Sequence, residues 1–220
     1  MNLNLYFGKT KDGKRFEIDL IKKNLHTIFL TGSTGSGKSI LHYHLYKQLI
    51  LNNYPSELGF VFMDMTRVDF TGWKGPYLHR PVIVKPKEAI DYLEKISEDP
   101  PKNKTVFIHI EEMDMMNYDP EKVERAWQKI HNSKENIYIV FSTSRPAKDV
   151  FTSKIKENTG MVIACITASK TDSETIGVPE AEILLIPWEK TISIDGKYIK
   201  LLPFSEKELK DAKDFDKFMY

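Results

Sequence analysis

Residues 27–51, TIFLTGSTGSGKSILHYHLYKQLIL, join a short apolar run to a helical repeat through an eight-residue stretch containing three glycines. That stretch, Gly32-Ser33-Thr34-Gly35-Ser36-Gly37-Lys38-Ser39, satisfies G-x-x-x-x-G-K-[ST] at every position. The glycines let the backbone curl so that successive N–H groups face one centre. The following helix start adds partial positive charge there, which together makes a phosphate cradle. Lys38 would reach the β- and γ-phosphates of a nucleoside triphosphate, and the Ser39 hydroxyl would hold Mg²⁺. The pattern arises by accident in roughly one chain per hundred of this length. The strand before it and helix after it make accident rarer still.

Such a loop requires a sheet to carry it, and the remaining pattern supplies one. Short apolar runs at Thr27–Thr31, Leu58–Asp64, Val82–Val84, Thr105–Ile110, Ile137–Ser142, Met161–Thr167 and Ile183–Ile186 read as strands. Most are continuous rather than alternating, as in parallel strands covered on both faces. Helical periodicity separates them: Leu41, Leu45 and Leu49 share one face, Pro86 opens a second helix, and Asp119-Pro120 caps a third. Asp195-Gly196 between alternating runs predicts a C-terminal β-hairpin, and Ser205 with Glu208 a capping box for a last helix. The expectation is an α/β fold with a mostly parallel sheet, forming a single domain over residues 1–220.

Composition adds exclusions. No apolar run approaches the ~20 residues of a membrane span, and the N-terminus lacks a signal layout. The one cysteine, Cys165, lies in an apolar run and cannot pair within the chain, so a reducing cytoplasmic setting is expected.

The run FIHIEEMDMM ends a strand in two adjacent carboxylates. After a phosphate loop, a second strand must bring a carboxylate to the metal and another to the attacking water. Glu111 takes the metal role and Glu112 the base role. Glu111 is one methylene longer than the usual aspartate, so Glu111→Asp would restore the common geometry. His109 reads as a hydrogen-bonded core histidine. His42 and His44 point different ways on their helix, and no metal-binding cluster stands out.

In order and spacing, the pieces HTIFLTGSTGSGKS, VFMDMTRVDF, FIHIEEMD, FSTSRPAKDVFTSKIKEN and ASKTDSETIG resemble the FtsK/SpoIIIE motor domain of the FtsK–HerA superfamily, over about Phe7 to Glu208. The resemblance implies a RecA-like P-loop NTPase core using ATP and Mg²⁺. It also implies a hexameric ring of identical chains that pumps double-stranded DNA through its centre. Within STSRP, Thr143 and Arg145 match the family's sensor stretch, and Ser144 replaces its glutamine. The sensor strand should lie between the phosphate-loop strand and the acidic strand.

Two frequent family arginines are replaced, by Val162 and Ser133, leaving Lys134, Arg145, Lys154 and Lys156 as substitutes for a finger reaching a neighbour's site. The family's accessory domain, membrane anchor and DNA-reading winged helix have no counterpart in these residues. The resemblance therefore implies a bare motor core, with room for a partner protein that supplies DNA recognition. Genome packaging, mobile-element transfer and DNA segregation all suit it. A secretion ATPase moving polypeptide, or a nucleotide-binding scaffold with weak hydrolysis, are the alternatives.

A net charge of +1 does not announce nucleic acid. Between Met65 and Lys87, however, five basic residues face only Asp69, with Phe70, Trp73 and Tyr77 interleaved. The segment reads either as a DNA contact or as a loop whose aromatics pack on the core.

Overall fold

The computed structural model describes residues 1–112, 117–133, 135–184 and 189–213, with side chains to residue 210. The chain begins with an antiparallel hairpin, β1 (Asn4–Lys9) and β2 (Arg15–Asp19). Then follow β3 (Thr27–Thr31), α1 (Lys38–Asn52), β4 (Leu58–Asp64), α2 (Pro86–Glu98), β5 (Thr105–Glu111), α3 (Pro120–Asn132) and β6 (Ile137–Thr143). The last elements are α4 (Ser153–Glu157), β7 (Met161–Ala164), α5 (Lys170–Ile176), β8 (Lys190–Ile194), β9 (Lys197–Leu201) and α6 (Glu206–Lys213).

Seven strands form one sheet in the order β4-β5-β6-β3-β7-β8-β9. The first five run parallel, and β8 and β9 return antiparallel. Every residue of β3, β4, β5 and β6 is buried, which is why the middles of these runs are mostly apolar and their polar residues cluster near the ends. One face carries α1, α6 and the β1–β2 hairpin, around Leu41, Leu45, Tyr46, Phe60, Phe62 and Phe107. The other carries α2, α3 and α4, around Ile90, Leu93, Val123, Trp127 and Ile130.

Local chemistry sets the element ends. The Asp119 side chain caps α3 by accepting from the Lys122 N–H, with Pro120 in the first turn. Asp195 and Gly196 both have positive φ, as a type I′ turn requires. At Ser205 the capping box closes in both directions, Ser205 N–H to Glu208 and Glu208 N–H to Ser205.

Three expected strands differ. Val82–Val84 makes only a single parallel bridge, Ile83 to Met63, because Pro81 and Pro86 confine the run. The strand expected over Met161–Thr167 stops at Ala164, and the chain beyond is diverted to hold the phosphate loop. Ile183 lies in a 3₁₀ turn, Ala181–Ile183, not a strand, and the rest of that run falls largely outside the described residues. The β1–β2 hairpin was not anticipated, though Asp12-Gly13 is its turn signal. It is tied to α1 through Gln48, which accepts from the Tyr6 N–H at 2.8 Å and donates to the Tyr6 carbonyl at 3.0 Å. Among the described residues no helix is long and apolar enough to cross a membrane.

Candidate nucleotide site

Parallel strands deliver their C-terminal ends to one side of a sheet, and a crevice opens there where the chain order reverses. Here that edge gathers the ends of β3, β4, β5 and β6. The phosphate loop leaves β3 held on both flanks. The Gly32 N–H donates to the Thr143 carbonyl at 3.4 Å, and the Ser33 N–H to that of Ile166 at 2.7 Å. The Ser33 hydroxyl donates to the same Ile166 oxygen at 3.0 Å. A side chain at position 32 would place its Cβ 2.6 Å from the Cys165 Cβ, so only glycine fits between the loop and β7. Gly37 takes φ 102° at the N-cap of α1, where no side chain caps the helix amides. Lys38 is buried, and its ammonium donates to the Gly32 carbonyl at 2.8 Å, curled over its own loop.

The cleft above the loop encloses about 470 Å³. Thr34, Gly35, Gly37, Lys38 and Ser39 line one side; Thr66, Val68, Asp69, Glu111, Glu112 and Ser144 line the other. Of the residues singled out from sequence, Lys38, Ser39, Glu111, Glu112 and Ser144 therefore converge. Gly32, Ser33 and Ser36 support the loop from beneath.

Glu112 has φ 50°, a left-handed conformation rare for a glutamate. The kink turns its carboxylate onto the tip of β6. There it accepts the Ser144 N–H at 2.9 and 3.1 Å and the Thr143 hydroxyl at 3.0 Å. The sensor strand does lie between the phosphate-loop and acidic strands, and that neighbourhood makes this contact possible.

Glu111 is buried at the cleft floor. Its Oε2 accepts from His109 Nε2 at 2.8 Å and from the Ser142 hydroxyl. Burial pushes the Glu111 carboxyl up, but the His109 hydrogen bond and charge lead the opposing influences and hold it at about 2. The longer arm is thus what reaches His109 and Ser142. The expectation of no metal-binding cluster is corrected. His42, on α1, lies across from His109 and Glu111, and their ligand atoms are all within 4.8 Å of one another. Spacing along one helix could not show that α1 packs His42 onto a neighbouring strand.

Asp69 escaped sequence reasoning. Burial and the charge of Glu111 raise its carboxyl pKa, while a hydrogen bond from the Ser39 side chain opposes them. The fully buried Asp64 positions it, accepting from the Thr66 hydroxyl at 2.6 Å and the N–H groups of Arg67, Asp69 and Phe70 at 2.8, 3.1 and 2.9 Å. The signal was Asp64 at a strand end with Thr66 two residues on, a side-chain-built turn.

Arg145 does not join the cleft. Its side chain is 77% exposed, 3.8 Å from Asp149. Lys154 pairs with Glu124 at 3.1 Å and Lys156 donates to the Thr175 carbonyl at 3.2 Å, while Lys134 lies outside the described residues. In the Met65–Lys87 segment, Phe70 and Trp73 are buried in the core, and Arg80 pairs with Glu88 at 2.5 Å and lies over the Tyr92 ring. The aromatics are therefore core residues. Arg67, Lys74, Lys85 and Lys87 stay exposed.

A mostly parallel sheet with an anchored phosphate loop, an acidic strand and a sensor strand between them defines a RecA-like P-loop NTPase core. Within that class the chain belongs to the FtsK/SpoIIIE family, whose sequence model matches residues 1–170. It is 28% identical to the DNA translocase FtsK of Staphylococcus epidermidis over 83% of this chain, spanning 28% of that protein's length. Among solved structures, it resembles the cytoplasmic domain of the type VII secretion ATPase EccC of Thermomonospora curvata. The TM-score is 0.74 at 18% identity, over 99% of this chain and 31% of that one. It also resembles the monomer form of the pCW3 conjugation coupling protein TcpA with ATPγS. There the TM-score is 0.73 at 17% identity, over 100% of this chain and 71% of that one.

Proposed function

We propose that these 220 residues form the ATP-hydrolysing motor domain of a cytoplasmic translocase that moves double-stranded DNA as a ring of identical chains. The observation that carries the reading is the convergence on one cleft of Lys38 and Ser39 from the phosphate loop and Glu112 from the end of the acidic strand. The loop amides and Lys38 bind the phosphates, with Lys38 exchanging the Gly32 carbonyl for a phosphate oxygen. Ser39, Asp69 and Glu111 form a hard oxygen donor set that fits Mg²⁺, which would neutralise phosphate charge. Glu112 is the base. While it accepts from Ser144 and Thr143 it is docked on β6, and it must leave that dock to take a proton from the attacking water. Ser144 contributes through its backbone N–H, a role its short side chain does not compromise. Arg145 is exposed, and we assign it to a neighbouring subunit's site.

Family membership and the FtsK relative support DNA as cargo. The chain spans only 28% of that relative's length, so a partner protein or further segment supplying DNA recognition is part of the proposal. Exposed Arg67, Lys74, Lys85 and Lys87 would meet the phosphate backbone, independent of sequence.

The test is ATPase rate against duplex concentration at two salt levels. Duplex should stimulate turnover regardless of sequence, and stimulation should fall steeply with salt. A flat response to duplex, with stimulation by an unfolded polypeptide, would transfer the reading to protein secretion. Nucleotide binding without turnover would leave a scaffold.

A further inference from the structure

Beneath the cleft, α1 and β5 enclose a buried group of side chains of which the nucleotide site uses only Glu111. His42 is buried, and among the described residues neither its Nδ1 nor its Nε2 has a hydrogen-bond partner. A neutral imidazole carries one N–H donor and one acceptor nitrogen, and leaving both unpaired in a core is unfavourable. His42 Nδ1 lies 4.0 Å from Glu111 Oε2, and the His42 ring centroid lies 4.9 Å from that of His109. His109 Nε2 is 2.8 Å from the same Glu111 oxygen. Tyr46 hydrogen-bonds His109 Nδ1, and Ser142 hydrogen-bonds Glu111.

We infer that His42, His109 and Glu111 form a binding site for a divalent transition ion such as Zn²⁺ or Co²⁺, separate from the nucleotide's Mg²⁺. Two imidazole nitrogens and one carboxylate oxygen match the donor preference of such an ion. They are a poor match for Mg²⁺, which takes oxygen ligands and keeps water. A tetrahedral ion at about 2.0–2.2 Å from each ligand sets ligand atoms about 3.3 Å apart. The 2.8 and 4.0 Å separations from Glu111 lie on either side of that figure, the two imidazole nitrogens lie within 4.8 Å of each other, and side-chain rotation closes the difference. Binding replaces the direct His109–Glu111 hydrogen bond with two metal bonds. The His109 proton then resides on Nδ1 and is donated to the Tyr46 oxygen, the outer contact that fixes a ligand histidine's tautomer. The hydrogen bonds described for Glu111 run through Oε2, so its other oxygen can serve the cleft while Oε2 serves the ion.

The test reads metal binding rather than turnover, so its outcome is distinguishable from that of the ATPase reading. The purified chain is stripped with chelator and titrated with Co²⁺ in excess Mg²⁺, which occupies hard oxygen sites. One Co²⁺ per chain should bind with the visible absorption of a low-coordinate N/O site, displaced by Zn²⁺ and insensitive to an added ATP analogue. His42→Phe should weaken Co²⁺ binding at least about 100-fold. It keeps a ring among Tyr43, Tyr46 and Phe70 and so preserves packing. Tyr46→Phe should weaken binding about 10–100-fold. The parent alone can overturn the inference, by showing no Co²⁺ band or one that Mg²⁺ or the ATP analogue abolishes. An undiminished band in a folded His42→Phe would also overturn it.

Discussion

The Glu112 carboxylate accepts the Ser144 backbone N–H at 2.9 Å, so the proposed base and the sensor position are directly bonded across adjacent strand ends. The link needs no glutamine at position 144. It depends on the left-handed turn at Glu112 and on β6 lying beside β5. Any shift of the β6 tip therefore changes how free the carboxylate is to accept from water.

Glu112→Gln should leave affinity for an ATP analogue within about twofold of the parent and lower turnover about 10²–10⁴-fold. The amide cannot take a proton, while the phosphate loop is untouched. Analogue binding by calorimetry and steady-state phosphate release measure the two effects. Turnover at the parental rate would remove Glu112 from the chemistry.

Thr143→Val deletes one hydrogen bond that docks Glu112, worth about 1 kcal/mol. Basal turnover should rise about two- to fivefold, because the base spends more time undocked. A fall in turnover would show that docking orients the base rather than restrains it.

Glu111→Asp withdraws the carboxylate from His109 and Ser142 and leaves buried polar groups unpaired. A loss of about 1–3 kcal/mol is expected in chemical denaturation. Unchanged stability would mean that the network re-forms around the shorter arm.

Lys190 is buried against the Phe204 ring, and burial lowers its pKa from 10.5 to about 8. Between pH 8 and 10.5 the unfolded chain holds a proton that the folded chain has released, so this residue makes stability rise with pH across that window. Lys190→Met should stabilise the protein by roughly 1–3 kcal/mol at pH 7, and its advantage should shrink as the pH climbs from 8 to 10.5. Denaturation of both proteins at pH 7, 9 and 10.5 checks this. A constant difference would mean that Lys190 is solvated in the native state.

The central strands were legible because burial on both faces leaves a continuous apolar run, as in Leu58–Asp64. The phosphate loop was legible because its glycines answer steric demands, such as the Cys165 contact at Gly32. Asp69 was not, since its place in the cleft depends on Asp64 folding the following turn, which is a tertiary arrangement. His109 was read singly as a core residue, and His42 only as facing a different way from His44. The meeting of His42 and His109 requires knowing that α1 crosses β5, and no spacing along either element encodes it. Arg80 looked like a free charge because its partner, Glu88, lies in the next helix, just past the basic stretch.

The phosphate loop is fastened to β6 on one flank and to the segment after β7 on the other. A loop gripped from both sides cannot follow a phosphate as it departs, so it serves as the stationary jaw of the cleft. The work of sensing hydrolysis then falls to the opposite jaw, where Val68, Asp69 and Glu112 sit on turns rather than within strands. Those turns continue into the exposed Arg67 and Lys74. A displacement too small to disturb the sheet would thus emerge at the surface as a movement of positive charge.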